Sequence, residues 1–303
     1  MRKTRKKVLL FAAETAYGVD AIDAGETATA LLGRNVTITP MAGDNTSLDY
    51  DDGTLGNSPE VATEIYGTVE VEVDWAGSGA AGTATKYAPL LLSCLRGQNI
   101  TADTSVAHAI DDTSEASQTL YFHYDGVLHA LLGARGTFKL NATAKQFPTL
   151  TFTFTGLFVK PTVAVMPAAD FEGWETPLKV GVEYSACTLG GQAVKLISLD
   201  YDQANTVNHA EYVGFEEVQI TDFAPTSKIV LEAASLGEFD PFTAAKDGTE
   251  MAFEFTHGVA GNQVSWASSR VQLGRPTYGD QDGTLTYEIP LIPISNVDTL
   301  TNA

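Results

Sequence analysis

Apolar and polar residues alternate along most of the chain in short runs bounded by Gly, Asp, Asn and Pro, the period-two pattern of half-buried antiparallel strands. Over residues 68–75, Val69, Val71, Val73 and Trp75 fall on one face, and Thr68, Glu70, Glu72 and Asp74 on the other. Over 149–155, Leu150, Phe152 and Phe154 oppose Thr149, Thr151, Thr153 and Thr155, and over 284–291, Leu285, Tyr287, Ile289 and Leu291 oppose Thr284, Thr286, Glu288 and Pro290. Each such strand has one core face and one polar face. A helix is expected at about 87–96, where Pro89 suits a first turn, Leu90, Leu91, Leu92 and Leu95 give an apolar stripe, and Gly97 follows. Helical signals elsewhere are weak. The polar stretch 99–117 reads as a long loop, and 161–177, with Pro161, Pro167 and Pro177, as a linker.

The strand pattern repeats. Asn45 after one strand corresponds to Asn205 after another, an offset of 160, and 68–74 corresponds to 227–233 at 159. Residues 120–127 then match 252–259 at an offset of 132, and 148–154 match 283–289 at 135. The single drop falls where the first half carries the expected helix and polar loop, as a duplication with one length difference predicts. The expected organisation is an N-terminal arm (1–34), a first β-domain (35–160), the linker (161–177), a second β-domain (178–295) and a C-terminal tail (296–303).

The chain has 303 residues, 44% of them hydrophobic and 18% charged, a globular composition. Its 38 Asp and Glu against 18 Lys and Arg give a net charge of -20, which repels phosphate backbones. The exception is the basic start, Arg2, Lys3, Arg5, Lys6 and Lys7, followed by the apolar Val8-Leu9-Leu10-Phe11-Ala12-Ala13. This resembles a secretory signal, but the apolar run stops at Glu14, short of the roughly 7–15 residues such a region uses. No apolar run approaches the ~20 residues that span a bilayer. Cys94 and Cys187 have no CxxC spacing and read as buried, reduced thiols.

Motifs that bear chemistry are weak. Gly77, Gly79 and Gly82 form a GxGxxG between an expected strand and an expected helix, yet no alternating β and α units surround it, so a loop needing positive φ angles is the better reading. Asp49, Asp51 and Asp52 with Gly53 resemble a calcium loop out of register and read as a solvated acidic turn. The five histidines lack metal-ligand spacing, and no nucleophile elbow or distinct carboxylate pair is present. No cofactor or metal is expected. The acidic positions Glu70, Glu72, Asp74, Glu250, Glu254 and Glu288 oppose apolar faces; as the lining of a ring they would make a negative bore.

Val8-Leu9-Leu10-Phe11-Ala12-Ala13-Glu14-Thr15-Ala16-Tyr17-Gly18, Arg34-Asn35-Val36-Thr37-Ile38-Thr39-Pro40, Glu70-Val71-Glu72-Val73, Gly77-Ser78-Gly79-Ala80-Ala81-Gly82 and Ala88-Pro89-Leu90-Leu91 together resemble the tail tube, or major tail, proteins of long non-contractile-tailed bacteriophages. The resemblance covers roughly the first hundred residues; Asp49-Tyr50-Asp51-Asp52 departs from it in being so acidic. It implies an all-β chain of two tandem tube-like β-sandwich domains and a structural, non-enzymatic virion protein of stacked rings, assembled in the host bacterial cytoplasm. DNA would be a passing cargo, and the tape measure, terminator and distal tail proteins would be partners. Two tube domains per chain would make a six-domain ring from three chains. In that setting Arg2, Lys3, Arg5, Lys6 and Lys7 would strap one ring to the next. The competing readings are a secreted or surface-layer β-sandwich protein and a carbohydrate-active β-enzyme using Glu70, Glu72 and Asp74.

Overall fold

A computed structural model describes residues 2–51, 53, 55–294 and 296–303, and the fold is all-β with two short helices among them. The first series comprises β1 (Lys7–Ala13), β2 (Thr29–Ala30), β3 (Gly33–Ala42), the hairpin β4 (Asn45–Ser47) and β5 (Glu60–Ala62), β6 (Tyr66–Asp74), helix α1 (Ala88–Leu92), the hairpin β7 (Asn99–Thr101) and β8 (Ser105–Ala109), β9 (Gln118–Tyr124), β10 (Val127–Thr143) and β11 (Thr149–Phe158). After β12 (Thr162–Val163) come β13 (Ser185–Leu189), β14 (Gln192–Ala193), β15 (Leu196–Asp202), the hairpin β16 (Asn205–Tyr212) and β17 (Phe215–Phe223), and β18 (Thr226–Glu232). Helix α2 (Pro241–Asp247), β19 (Glu250–Val259), β20 (Asn262–Leu273), β21 (Thr277–Gln281), β22 (Thr284–Pro293) and β23 (Asp298–Asn302) complete the chain.

The two series pair alike, and every pairing is antiparallel. β1 pairs with β2 and β9, β3 with β6, β6 with β11, β11 with β10, and β10 with β9. In the same order β13 pairs with β14 and β19, β15 with β18, β18 with β22, β22 with β20, and β20 with β19. Each series also sends a hairpin, β4–β5 or β16–β17, out between the first two strands of its main sheet.

The series join where β10 pairs with β15, from Lys139 opposite Asp202 to Thr143 opposite Ser198. One main sheet therefore runs β3-β6-β11-β10-β15-β18-β22-β21. The second layer holds β1, β2 and β9 on one side, and β13, β19, β20, β23, β8 and β7 on the other. β10 serves both layers by shifting register between Leu131 and Arg135, around Gly133 at φ 59°, the kind of irregularity that lets a strand turn a corner. The core between the layers is continuous: Val71, Phe152, Phe138, Tyr201, Ile229 and Ile289 of the main sheet belong to one cluster with Leu9, Phe122, Phe255 and Trp266 of the second.

Several expectations change. The helix is shorter than 87–96, because Leu95 takes a left-handed φ of 60° and the chain turns before Gly97. The segment expected as a loop at 99–117 contains the β7–β8 hairpin, whose β8 pairs with β23. Leu285, expected in the core, is exposed at the β21–β22 turn, whereas Tyr287, Ile289 and Leu291 are buried. The signal-like run is β1, with Leu9 and Phe11 in the core. Residues 298–302 of the expected tail form β23, which pairs with β20 and with β8 of the first series. No helix among the described residues is long and apolar enough to cross a membrane.

Candidate assembly surfaces

The apolar residues of the main sheet point inward, so alternation sends their neighbours to its outer face. Thr68, Glu70, Glu72 and Asp74 of β6 stand beside Thr155, Thr153, Thr151 and Thr149 of β11. Next come Lys139 and Asn141 of β10, then Asp202 and Asp200 of β15. Beyond them lie Lys228 of β18 and Glu288 of β22. Many carboxylates here have partners: Asp74 with Arg34 at 2.6 Å, Asp202 with Lys139 at 3.1 Å, Glu232 with Lys195 at 2.6 Å and Glu288 with Lys228 at 2.6 Å. Glu72 accepts from Asn35 at 3.2 Å. Burial pushes the Asp74 carboxyl up against the opposing pull of Arg34. Glu70 and Asp200 stay exposed. The face is thus hydroxyl-rich and acidic, with part of its charge offset.

The six acidic positions picked out by sequence separate here. Glu70, Glu72, Asp74 and Glu288 share the main sheet, whereas Glu250 and Glu254 stand on β19 of the second layer. The Arg270 guanidinium beside Glu250, with Nε at 2.7 Å, holds its carboxyl low. Glu254 is exposed and accepts from the Thr256 hydroxyl at 3.4 Å.

Arg2, Lys3, Arg5 and Lys6 precede β1, while Lys7 is its first residue and donates from Nζ to the Val36 carbonyl. The Lys3 amide donates to the Asp125 carboxylate, and the Asp125 amide to the Lys6 carbonyl at 3.0 Å, so the basic segment starts at the β9–β10 turn.

The glycine motif packs as a loop. A side chain at Gly77 would lie 2.7 Å from the Asn262 Cα, and one at Gly82, φ 71°, would lie 2.4 Å from the Asp103 nitrogen. Asp49 and Asp51 are exposed, with Asp49 bound to the Ser47 hydroxyl at 2.7 Å; Asp52 lies outside the described residues. Burial drives the Cys94 thiol up and the Cys187 thiol up to about 12, which leaves both protonated and unreactive.

Sequence reasoning missed a polar junction inside the core. Arg96, fully buried, donates to Asp298 Oδ2 at 2.6 Å, to Gln203 Oε1 at 2.9 Å and to the Asp298 carbonyl at 3.0 Å. Tyr201 and Trp266 donate to the same Asp298 oxygen, at 2.9 and 3.3 Å. The junction ties the turn after α1 to β15, β20 and β23. Nearby, Arg135 donates to Glu217 at 2.8 Å and to the Val218 carbonyl at 2.7 Å, and Tyr17 accepts from the Val218 amide at 2.6 Å, which straps the β16–β17 hairpin over the first series. His209 adds a contact to Glu64 at 3.0 Å. Nothing in composition flags these residues; only the fold makes Arg96 internal.

A family model described as phage tail tube protein matches residues 4–292 of the chain. A search of the curated proteins finds no match.

Proposed function

The chain belongs to the phage tail tube protein family, and from that premise we propose that it is the major tail protein of a long, non-contractile tail, with three copies per ring and stacked rings forming the DNA conduit. The family is structural and its members are virion tail components. The observation that carries the ring reading is the main sheet and its two ends. Among the described residues, β3 pairs only with β6, and β21 only with β22, so a sheet of eight strands ends in open backbone edges on both sides. Open edges invite pairing with another chain, and a head-to-tail contact that closes makes a ring.

The repeated pairing order supports a duplicated tube domain, and the β10–β15 contact supplies an internal pattern for the contact between chains. In the repeat β3 corresponds to β15, and β15 already has a strand of the other series at its side. A neighbour's β21 edge would occupy the same place beside β3. Three chains would then give a ring of six domains. DNA would pass along the acidic outer face of the main sheet, with the basic segment before β1 bridging rings, and assembly would take place in the host cytoplasm alongside the other tail proteins.

Electron microscopy with mass measurement of the purified protein tests this. Rings or tubes with a mass of three chains per ring are expected. Monomers alone at high concentration, or six chains per ring, would overturn the three-chain reading.

A further inference from the structure

The register gives the molecule two unlike ends. At one end β3 stops at Ala42, β6 starts at Tyr66, β15 stops at Asp202 and β18 starts at Thr226; both long hairpins leave from here. At the other end lie the β10–β11 turn and the start of β15, since Thr143 stands opposite Ser198 and Thr149 opposite Asp74. The hairpin end presents an apolar tip, where Tyr212 and Val213 are 68% and 108% exposed and Tyr212 stacks on Phe215 at 5.9 Å. The exposed carboxylates Glu211 and Glu216 flank it.

The opposite end holds a cavity of about 650 Å³ whose walls include Val180, Val194, Leu196 and Phe255. Lys145, Lys179 and Lys195 stand on its rim with one acid, Glu183. Lys195 is paired with Glu232, but among the described residues Lys145 and Lys179 have no carboxylate partner. In a chain of net charge -20, two unpaired lysines over an apolar cavity form a distinct surface.

Resting on the assembly reading above, we propose that this cavity receives the β16–β17 tip of a second copy in the next ring, Tyr212 and Val213 entering the apolar walls and Glu211 and Glu216 meeting Lys145 and Lys179. Apolar tip and apolar walls match, the flanking charges are opposite, and the two surfaces lie at opposite ends of the strands, as head-to-tail stacking requires. The contact gives the tube a direction.

The test compares the full-length protein with Lys145→Glu/Lys179→Glu, with Val213→Asp, and with Lys145→Glu/Lys179→Glu/Glu211→Lys, scoring tubes by sedimentation and electron microscopy. All substituted side chains are exposed, and a thermal melt checks that each variant is folded. The double variant and Val213→Asp are expected to raise the protein concentration needed for tubes by about tenfold or more while single rings persist, and the added Glu211→Lys to recover part of the loss. Tubes from wild type and from both disrupted variants at the same concentration would overturn the cavity contact alone. Failure of the wild type to form rings or tubes would instead overturn the assembly reading, and this contact with it.

Discussion

Arg96 shows how far one residue's role depends on its surroundings. In isolation it is the only cation of an expected helix; folded, it is a buried charge held by Asp298, Gln203 and Tyr201. Burial opposes its charge, but the nearby Tyr201 and Asp298 outweigh that and drive the guanidinium pKa further up. Breaking a buried pair strands the other ion, at a cost of about 3–5 kcal/mol, whereas replacing both with apolar groups often recovers it. Arg96→Met is therefore expected to lose that much stability in urea denaturation, and Arg96→Met/Asp298→Leu to lose less. His108, whose carbonyl also accepts from Arg96, carries a pH dependence. Burial, reinforced by the Arg96 charge, lowers its imidazole from 6.5 to about 4. The unfolded chain then binds the extra proton between those values and the native one does not, so His108's contribution is complete above pH 6.5 and fades as pH falls toward 4. The loss is on the order of 3 kcal/mol. His257, also lowered by burial, acts in the same direction. Acid titration followed by circular dichroism should show a shallower decline for His108→Gln than for wild type.

Among the elements, what was legible is what alternation encodes. β6 and β11 bury Val69, Val71, Val73, Leu150, Phe152 and Phe154 as their period-two pattern requires, because a half-buried strand must segregate its faces. Helix α2 was missed although its signals are local: Asp240 accepts from the Phe242 and Thr243 amides, Pro241 sits in the first turn and Gly248 ends it at φ 64°. It is only seven residues long and Pro241 alone is fully buried, so its sequence carries no long apolar stripe. The β7–β8 hairpin was illegible for another reason. β7 is exposed throughout, only Val106 and His108 of β8 are buried, and β8 is held as a strand by β23, nearly 200 positions away in sequence. The acidic residues were legible as a class, but their division between two sheets was not, since strand order is a property of long-range pairing. At the N-terminus the boundary that matters is Lys7. Deleting residues 2–6 removes contacts to Asp125 only at the surface and is expected to change the melting temperature little, within the roughly ±0.5 kcal/mol of surface changes. Deletion through Ala13 removes Leu9 and Phe11 from the core, and the chain should fail to fold. If the short deletion folds yet forms rings without tubes, the basic segment acts between rings.

For the whole molecule, charge reversal on each layer reads which one faces the bore. A net charge of -20 repels phosphate backbones, but a cation placed on a bore wall would meet a confined polyanion, while one on the outside of the tube would meet bulk solvent. Glu70 and Asp200 lie on the main sheet, and Glu254 on β19 of the second layer; all three are exposed, so reversing them leaves the core intact. Tubes carrying one reversal on the main sheet, Glu70→Lys or Asp200→Lys, are expected to retain short labelled DNA at low salt and to release it as salt rises, since phosphate contacts weaken with counterion concentration. Glu254→Lys tubes, matched for assembly by sedimentation, should retain no more than wild type. Retention by Glu254→Lys tubes and not by the main-sheet variant would turn the layers around, placing β19 on the bore and the hydroxyl-rich face of β6, β11, β10 and β15 outside. Because the two variants differ in sheet and not in kind of charge, the comparison reads the orientation of the sandwich directly.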